Sequence, residues 1–155
     1  MTCTVGFRKA QHDDINFLLE LSRKTMTQHL LAVGIRMNNA KHLEQIKEDF
    51  YDSHIVLVDR KPVGLVKMAV VALDGTHKSL HIKQLQIMPK YQRRGIGSNV
   101  LLVVKKRALQ LCLPITLNVL INNPARALYL RHGFEVVNKN RVEYKLRCPL
   151  AVIAA

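Results

Sequence analysis

LQIMPKYQRRGIGSN, residues 85–99, decides how the chain is read. An apolar strand-like stretch runs into a proline. Three cations and an amide follow (Lys90, Arg93, Arg94 and Gln92), then two glycines, Gly95 and Gly97, and then apolar spacing of helical period. A strand, a glycine-containing turn and a helix start together make an anion site. Unpaired backbone N–H groups converge there, and the helix dipole is positive at that end. Glycine lets the backbone approach a ligand closely. The chemistry points to phosphate or pyrophosphate. A Walker loop is excluded because no Gly-Lys-Ser/Thr follows, and a dinucleotide fingerprint fails because Val100 stands where its third glycine belongs. A basic turn without a ligand is what the motif alone leaves open.

Upstream, HIVLVD and PVGLVKMAVVAL read as a hairpin turning at Arg60-Lys61-Pro62, and Asp74-Gly75 turns the chain again into SLHIKQLQI. In that strand Leu80 and Ile82 share one face while Leu85 and Ile87 share the other, so the apolar phase slips near Lys83-Gln84. A β-bulge would restore both pairs to the core; a strand buried on both faces is the alternative. Downstream, SNVLLVVKKRALQLC reads as a helix that packs Val100, Val103, Val104 and Leu111 and exposes Lys105 and Lys106. PITLNVL is a strand, Asn123-Pro124 opens a short helix that Gly133 ends, and FEVV with RVEYKL forms a final strand pair. Before all of this, CTVGFRKA alternates as a first strand. Asp13 and Asp14 can cap a helix carrying Ile15, Leu18, Leu19 and Ser22 on one face. A second helix fits roughly Ala40 to Phe50, with Leu43, Ile46 and Phe50 inward. The order β-α-α-β-β-β-α-β-α-β-β predicts an α+β, or mixed α/β, domain over 1–155.

Composition bounds the function. The chain has 155 residues, 48% of them hydrophobic, which suits one folded domain. No apolar run reaches the ~20 residues of a membrane helix, and MTCTVGFRKA has no apolar core of a signal peptide. Cys3, Cys112 and Cys148 are far apart and odd in number, which fits a reducing compartment and a cytoplasmic protein. His77 and His81 lie on a turn-strand segment and do not share a helical face, so no metal site is expected. A net charge of +13 invites anions, nucleic acid among them. Yet no helix-turn-helix, zinc or RNP pattern occurs, aromatic residues are only 5%, and the cations are dispersed, so no specific nucleic acid is expected.

Gln92-Arg93-Arg94-Gly95-Ile96-Gly97 resembles the Q/R-x-x-G-x-G/A motif of the GNAT superfamily of N-acetyltransferases. NNPARALYLRHGF, residues 122–134, resembles that family's second signature, in which Asn122, Ala125, Leu128 and Tyr129 fill the N-x-x-A-x-x-L-Y positions before Gly-Phe. One helix and one strand separate the two, as in the family. The resemblance implies a mostly antiparallel mixed sheet with a bulged, splayed strand pair and about four flanking helices. It gives the slip at Lys83-Gln84 a meaning, as the bulge that opens a cofactor slot. It further implies that backbone groups of Ile87 and Met88 hold the pantetheine and the acetyl carbonyl of acetyl-CoA. The N–H groups of Gln92, Arg93, Arg94, Gly95, Ile96, Gly97 and Ser98 would hold the pyrophosphate. Asn122 would bond the pantetheine arm, with Asn123 an alternative, and Ala125 would pack beside it. Tyr129 would sit near the sulfur and assist thiolate departure.

The activity so implied is acetyl transfer to a primary amine of a small molecule or protein, by direct attack in a ternary complex and without a metal. A non-catalytic acyl-CoA-binding domain is the alternative. The family often places an acid where this chain has Gln84, Gln86 or Asn118, all unable to take a proton. His54 and His81 titrate near neutrality and are the remaining side-chain candidates, beside water. In the acceptor region, Glu44, Glu48, Asp49 and Asp52 could attract a cationic amine, and Met26, His29, Leu30 and Met37 could form an apolar wall. Partners are then an amine and, as an open alternative, a second copy of the chain.

Overall fold

The computed structural model describes residues 4–32, 34–72 and 74–155, leaving aside the side chains of 27–30 and 32, so Cys3 and the expected wall residues His29 and Leu30 lie outside the described residues. The chain divides into two compact units, 1–67 with 84–96 and 68–83 with 97–155.

The first unit holds strands β1 (Val5–Lys9) and β2 (Ser53–Val58), the first part of β3 (Lys61–Val71), the end of β4 (Ser79–Ile87), and helices α1 (Ile15–Ala32) and α2 (Asn39–Lys47). Leu18 and Leu21 of α1, Ile46 of α2, Ile55, Leu65 and Met88 form its buried core. The start of α1 differs from the expectation. A 3-10 turn, His12–Asp14, precedes it with Gln11 as the cap residue. Asp14 instead accepts from the Gln11 N–H at 2.7 Å and pairs with Arg8 through both oxygens at 2.7 and 2.8 Å. That bidentate pair holds its carboxyl below the usual range. At the other end of the helical layer, the buried Lys67 ammonium donates to the carbonyls of Glu48 at 2.8 Å and Gln45 at 3.2 Å. A cation thus satisfies the last carbonyls of α2 and opposes the negative end of its dipole.

The β2–β3 turn sits one residue earlier than the sequence implies. Asp59 and Arg60 both have positive φ, of 50° and 68°, the conformation that matches strand twist in a two-residue hairpin. Lys61 and Pro62 already belong to β3, and the register shifts at Val56/Leu57, beside Pro62, which has no N–H to give the ladder.

In the second unit the first part of β4 pairs in parallel with β5 (Ile115–Leu120), at Leu80–Ile115, His81–Thr116 and Ile82–Leu117. Strand β7 (Glu143–Cys148) lies antiparallel to β5, and β6 (Glu135–Lys139) antiparallel to β7 at the edge. Hydrogen-bonded strand neighbours run in the order β1-β2-β3-β4-β5-β7-β6, an open, mostly antiparallel sheet of α+β class. The pairs with β5 end where Lys83-Gln84 begins. Beyond that point Gln86 is buried while Leu85 and Ile87 are half-buried, so the end of β4 is covered on both faces.

Helix α3 (Ile96–Leu111) buries Val100, Leu101, Val104 and Ala108. Its stripe is rotated from the one expected: Val103 is exposed and Lys105 half-buried, because Leu101 and Ala108 take inward positions. Helix α4 (Ala125–Arg131) ends at Gly133, whose φ is +89°. A fifth helix, α5 (Leu150–Ala154), places the Val152 methyl 2.6 Å from where a Gly133 Cβ would stand. Gly133 therefore serves two ends, the left-handed cap and the seat of α5.

Candidate active site

The first unit supplies the end of β4 and the turn after it. The Met88 N–H donates to the Val63 carbonyl at 2.8 Å. The Met88 N–H is thus committed to β3. Alternation along a strand turns the Ile87 N–H to the opposite edge. The Ile87 carbonyl is taken by Gln92 Nε2 at 2.9 Å, so the Gln92 side chain braces the turn. Gly64 on β3 makes the close approach possible: a Cβ there would fall on the Gln86 carbonyl oxygen and 2.8 Å from Ile87 Cδ1. Sequence reading missed this, although a lone glycine inside an apolar strand is the usual sign of one backbone pressed against another.

After a 3-10 turn, Pro89–Tyr91, the backbone alternates in sense. Arg93 has φ +61° and Gly95 φ +78°, with Arg94 between them outside the positive-φ region. Such alternation aims successive N–H groups at one point, a nest for an anion. Gln92, Arg93, Arg94 and Gly95 are exposed, and the buried Ile96 pins the turn. The Lys90 and Arg94 cations stand over the Tyr91 ring at 5.3 and 5.6 Å from its centroid. The helix begins at Ile96, two residues ahead of the expected Ser98, which makes the Ile96, Gly97 and Ser98 N–H groups the free donors of its first turn.

The second unit carries the other signature. A Cβ on Gly97 would meet Leu128 Cδ2 at 3.0 Å, so the glycine seats α3 against α4 within this unit. Ser98 Oγ lies 3.0 Å from His132 Nε2, a contact that no sequence pattern announced. Asn123 Oδ1 accepts from the Ala125 N–H at 2.9 Å and so caps α4. Asn122 is exposed and Ala125 half-buried. Tyr129 is buried, 6% exposed, with its ring edge-on to Phe134 at 5.7 Å. Among the described residues its hydroxyl has no hydrogen-bond partner, and burial pushes its pKa well above the ordinary tyrosine value.

Gln84 is half-buried, Gln86 buried and Asn118 exposed. His81 Nδ1 shares a hydrogen bond of 2.8 Å with Thr116 Oγ1, and burial beside Lys145 and Lys83 lowers its pKa. Among the described residues His54 Nδ1, on β2 in the first unit, is buried without a hydrogen-bond partner. The two histidines therefore lie in different units. Glu44 and Glu48 are exposed, Asp49 and Asp52 half-buried, and Tyr51 is 70% exposed among them. Among the described residues no group of three or more His, Cys, Asp or Glu is placed to hold a metal ion, and no helix is long and apolar enough to cross a membrane.

Residues 47–136, more than half of the chain, match the family model described as an acetyltransferase (GNAT) domain. No curated protein matches the sequence. Among solved structures, the PaiA N-acetyltransferase of Thermoplasma acidophilum in complex with coenzyme A is 16% identical, with a TM-score of 0.72 over 94% of this chain and 99% of that one. PH1933 of Pyrococcus horikoshii is 18% identical, with a TM-score of 0.77 over 94% and 98%. Arabidopsis thaliana Naa50 in complex with the bisubstrate analogue CoA-Ac-MVNAL is 19% identical, with a TM-score of 0.61 over 92% and 97%. At these identities the likeness is one of fold.

Proposed function

The chain belongs to the GNAT acetyltransferase family, and from that premise we propose that residues 1–155 act as one N-acetyltransferase domain, moving an acetyl group from acetyl-CoA to a primary amine within a ternary complex. The observation that carries the reading is the run of residues 92–98. An exposed nest with alternating φ leads directly into a helix start, inside the matched segment. The Gln92 N–H is taken by the Pro89 carbonyl at 3.2 Å, and from Arg93 to Ser98 the run offers N–H donors and two arginines to one anion, which suits the pyrophosphate of a CoA thioester.

In this reading the Ile87 N–H donates to the thioester carbonyl as it becomes an oxyanion. Asn122 is the amide for the pantetheine arm, because Asn123 Oδ1 is already used in capping α4. The neutral amine attacks the carbonyl carbon, the C–S bond breaks, and the amine's extra proton leaves to water. Gln84, Gln86 and Asn118 can orient that water but cannot hold its proton. The exposed Glu44 and Glu48 favour a cationic acceptor arriving at the α2 surface.

Release of free CoA thiol from acetyl-CoA tests the reading, measured against small-molecule amines, lysine side chains and peptide N-termini. Turnover on at least one class is expected. Tight CoA binding with no turnover on any class would make the chain an acyl-CoA-binding domain without catalysis.

The pyrophosphate assignment has its own test in a pair of variants. Gly97→Ala and Gly97→Asp add the same Cβ against Leu128, but only the second adds a negative charge. Calorimetry should show Gly97→Asp binding CoA at least roughly tenfold more weakly than Gly97→Ala, the scale of a charge repelled at a few ångströms near a protein surface. Equal affinities in two folded variants would move the pyrophosphate elsewhere.

A further inference from the structure

His132 follows α4 and is held in place from several sides. Its N–H donates to the carbonyls of Leu128 and Tyr129 at 3.2 and 3.0 Å, and its own carbonyl accepts from Lys105 Nζ at 2.6 Å. With the backbone fixed, the imidazole presents Nε2 to Ser98 Oγ at 3.0 Å, in the first turn of α3. Ser98 is the last residue of the proposed cradle. Resting on the cofactor reading above, we infer that His132 is a positioning residue for the pyrophosphate, and that its protonation sets which way the Ser98 hydroxyl proton points.

A hydroxyl has one proton to give. A neutral imidazole in its Nδ1–H tautomer accepts that proton at Nε2, and the hydroxyl then has none for a phosphate oxygen. An imidazolium has donors only. Its Nε2–H must donate to Ser98 Oγ, which releases the hydroxyl proton toward the anion. The added positive charge attracts the same anion. Anion binding and His132 protonation therefore favour each other, and the linkage is reciprocal.

The surroundings of His132 disfavour its protonated form. Burial, the Lys105 ammonium on α3 and the neighbouring Arg131 guanidinium all lower its pKa below the ordinary histidine value. From β7 the Cys148 thiol donates to the His132 carbonyl at 3.9 Å, and burial raises the pKa of that thiol. A bound diphosphate raises the His132 pKa. Between the free and bound values, binding takes up a proton. Affinity is greatest below the free value and falls as pH rises through the bound one.

Titration calorimetry with dephospho-coenzyme A tests this near pH ~6, in two buffers of different ionisation heat. That ligand lacks the 3′-phosphate, which itself titrates in the range, and its diphosphate stays ionised throughout. The wild-type protein should take up a fraction of a proton and lose roughly 3- to 10-fold in affinity from pH ~5.5 to ~8, as a pKa rise of about half to one unit requires. His132→Gln, which keeps a donor amide but cannot titrate, should bind with a pH-independent affinity and no uptake. Ser98→Ala, a hydroxyl deletion at the surface end of the pair, should weaken both the affinity and its pH dependence, and it serves where His132→Gln does not fold. Unchanged uptake in either folded variant, or none in the wild type, overturns the inference while leaving the cofactor reading intact. A wild-type protein that binds no dephospho-coenzyme A at any pH removes both.

Discussion

Gly64→Ala should destabilise the protein by about 3 kcal/mol or more, lowering Tm by roughly 6–12 °C for a chain of this size. The added methyl would overlap the Gln86 carbonyl oxygen and press on Ile87 Cδ1 at 2.8 Å. A side chain can rotate away from such a contact, but a strand carbonyl cannot. The only relief is to part β3 from β4 at Gln86–Ile87, which also strains the Met88–Val63 hydrogen bond of 2.8 Å beside it. Gly6→Ala supplies the control. Gly6 also lies in a strand, β1, but its added Cβ meets nothing within 4 Å, and it should cost no more than ~0.5 kcal/mol. Thermal melts of the two variants decide the matter. Equal shifts would show that β3 and β4 have slack at this point. If the Ile87 N–H serves as oxyanion donor, residual folded Gly64→Ala should also lose kcat more than CoA affinity, because the displaced group is needed at the reacting carbonyl rather than at the pyrophosphate.

The contrast between those two glycines shows what the sequence displays and what it hides. Alternation pointed to β1, and short apolar runs between turn signals pointed to β2 and β5; such runs suit β5, which is buried at Ile115, Thr116, Leu117, Val119 and Leu120 and so on both faces. Turn chemistry was legible to within a residue. Arg60-Lys61-Pro62 pointed to the hairpin, yet the turn itself uses Asp59 and Arg60 in left-handed conformations that neither residue type advertises. The stripe of α3 was misread at Val103. A helix is surrounded unevenly by its neighbours, and which of several apolar residues points inward is set by the partner rather than by the helix. Helix α5 went unassigned, since five residues carry too little periodicity to separate helix from tail.

The candidate site divides in the same way. Gln92 to Ser98 and Asn122 to Tyr129 stood out because their spacing is itself the signal. What escaped is relational. The commitment of the Met88 N–H to Val63 and the Ser98–His132 bond join residues through the fold, and no single segment contains both members of an interaction spanning 34 positions, while the hold of Gln92 on the Ile87 carbonyl is local but depends on the turn between them. The absent acid at Gln84, Gln86 and Asn118 was plain from the sequence. The structure adds that His54 and His81 stand in separate units, with His81 tied to Thr116.

Tyr129→Phe should lower kcat by roughly 10- to 1000-fold while leaving the fold and CoA affinity nearly unchanged. The substitution removes one oxygen and keeps the ring, so the edge-on contact with Phe134 at 5.7 Å survives. The hydroxyl has no partner to lose among the described residues, so its removal breaks no hydrogen bond of the fold. Stability should therefore stay within ~1 kcal/mol of the wild type or rise. The chemistry is another matter. Burial raises the Tyr129 pKa, so the group stays a donor throughout the working range and cannot serve as the missing base. Outright transfer of its proton to a thiolate is uphill, by ~1.4 kcal/mol for each unit separating the two pKa values. If the hydroxyl assists thiolate departure, its contribution is a hydrogen bond to sulfur as negative charge builds on it, with water completing the protonation. A ground-state thioester sulfur is a poor acceptor, which is why the loss belongs in kcat rather than in binding. The test is steady-state turnover on whichever amine the acceptor screen identifies, with a burst measurement confirming that chemistry is the slow step. An unchanged kcat under that condition would leave Tyr129 a packing residue and assign the departing thiolate to water alone.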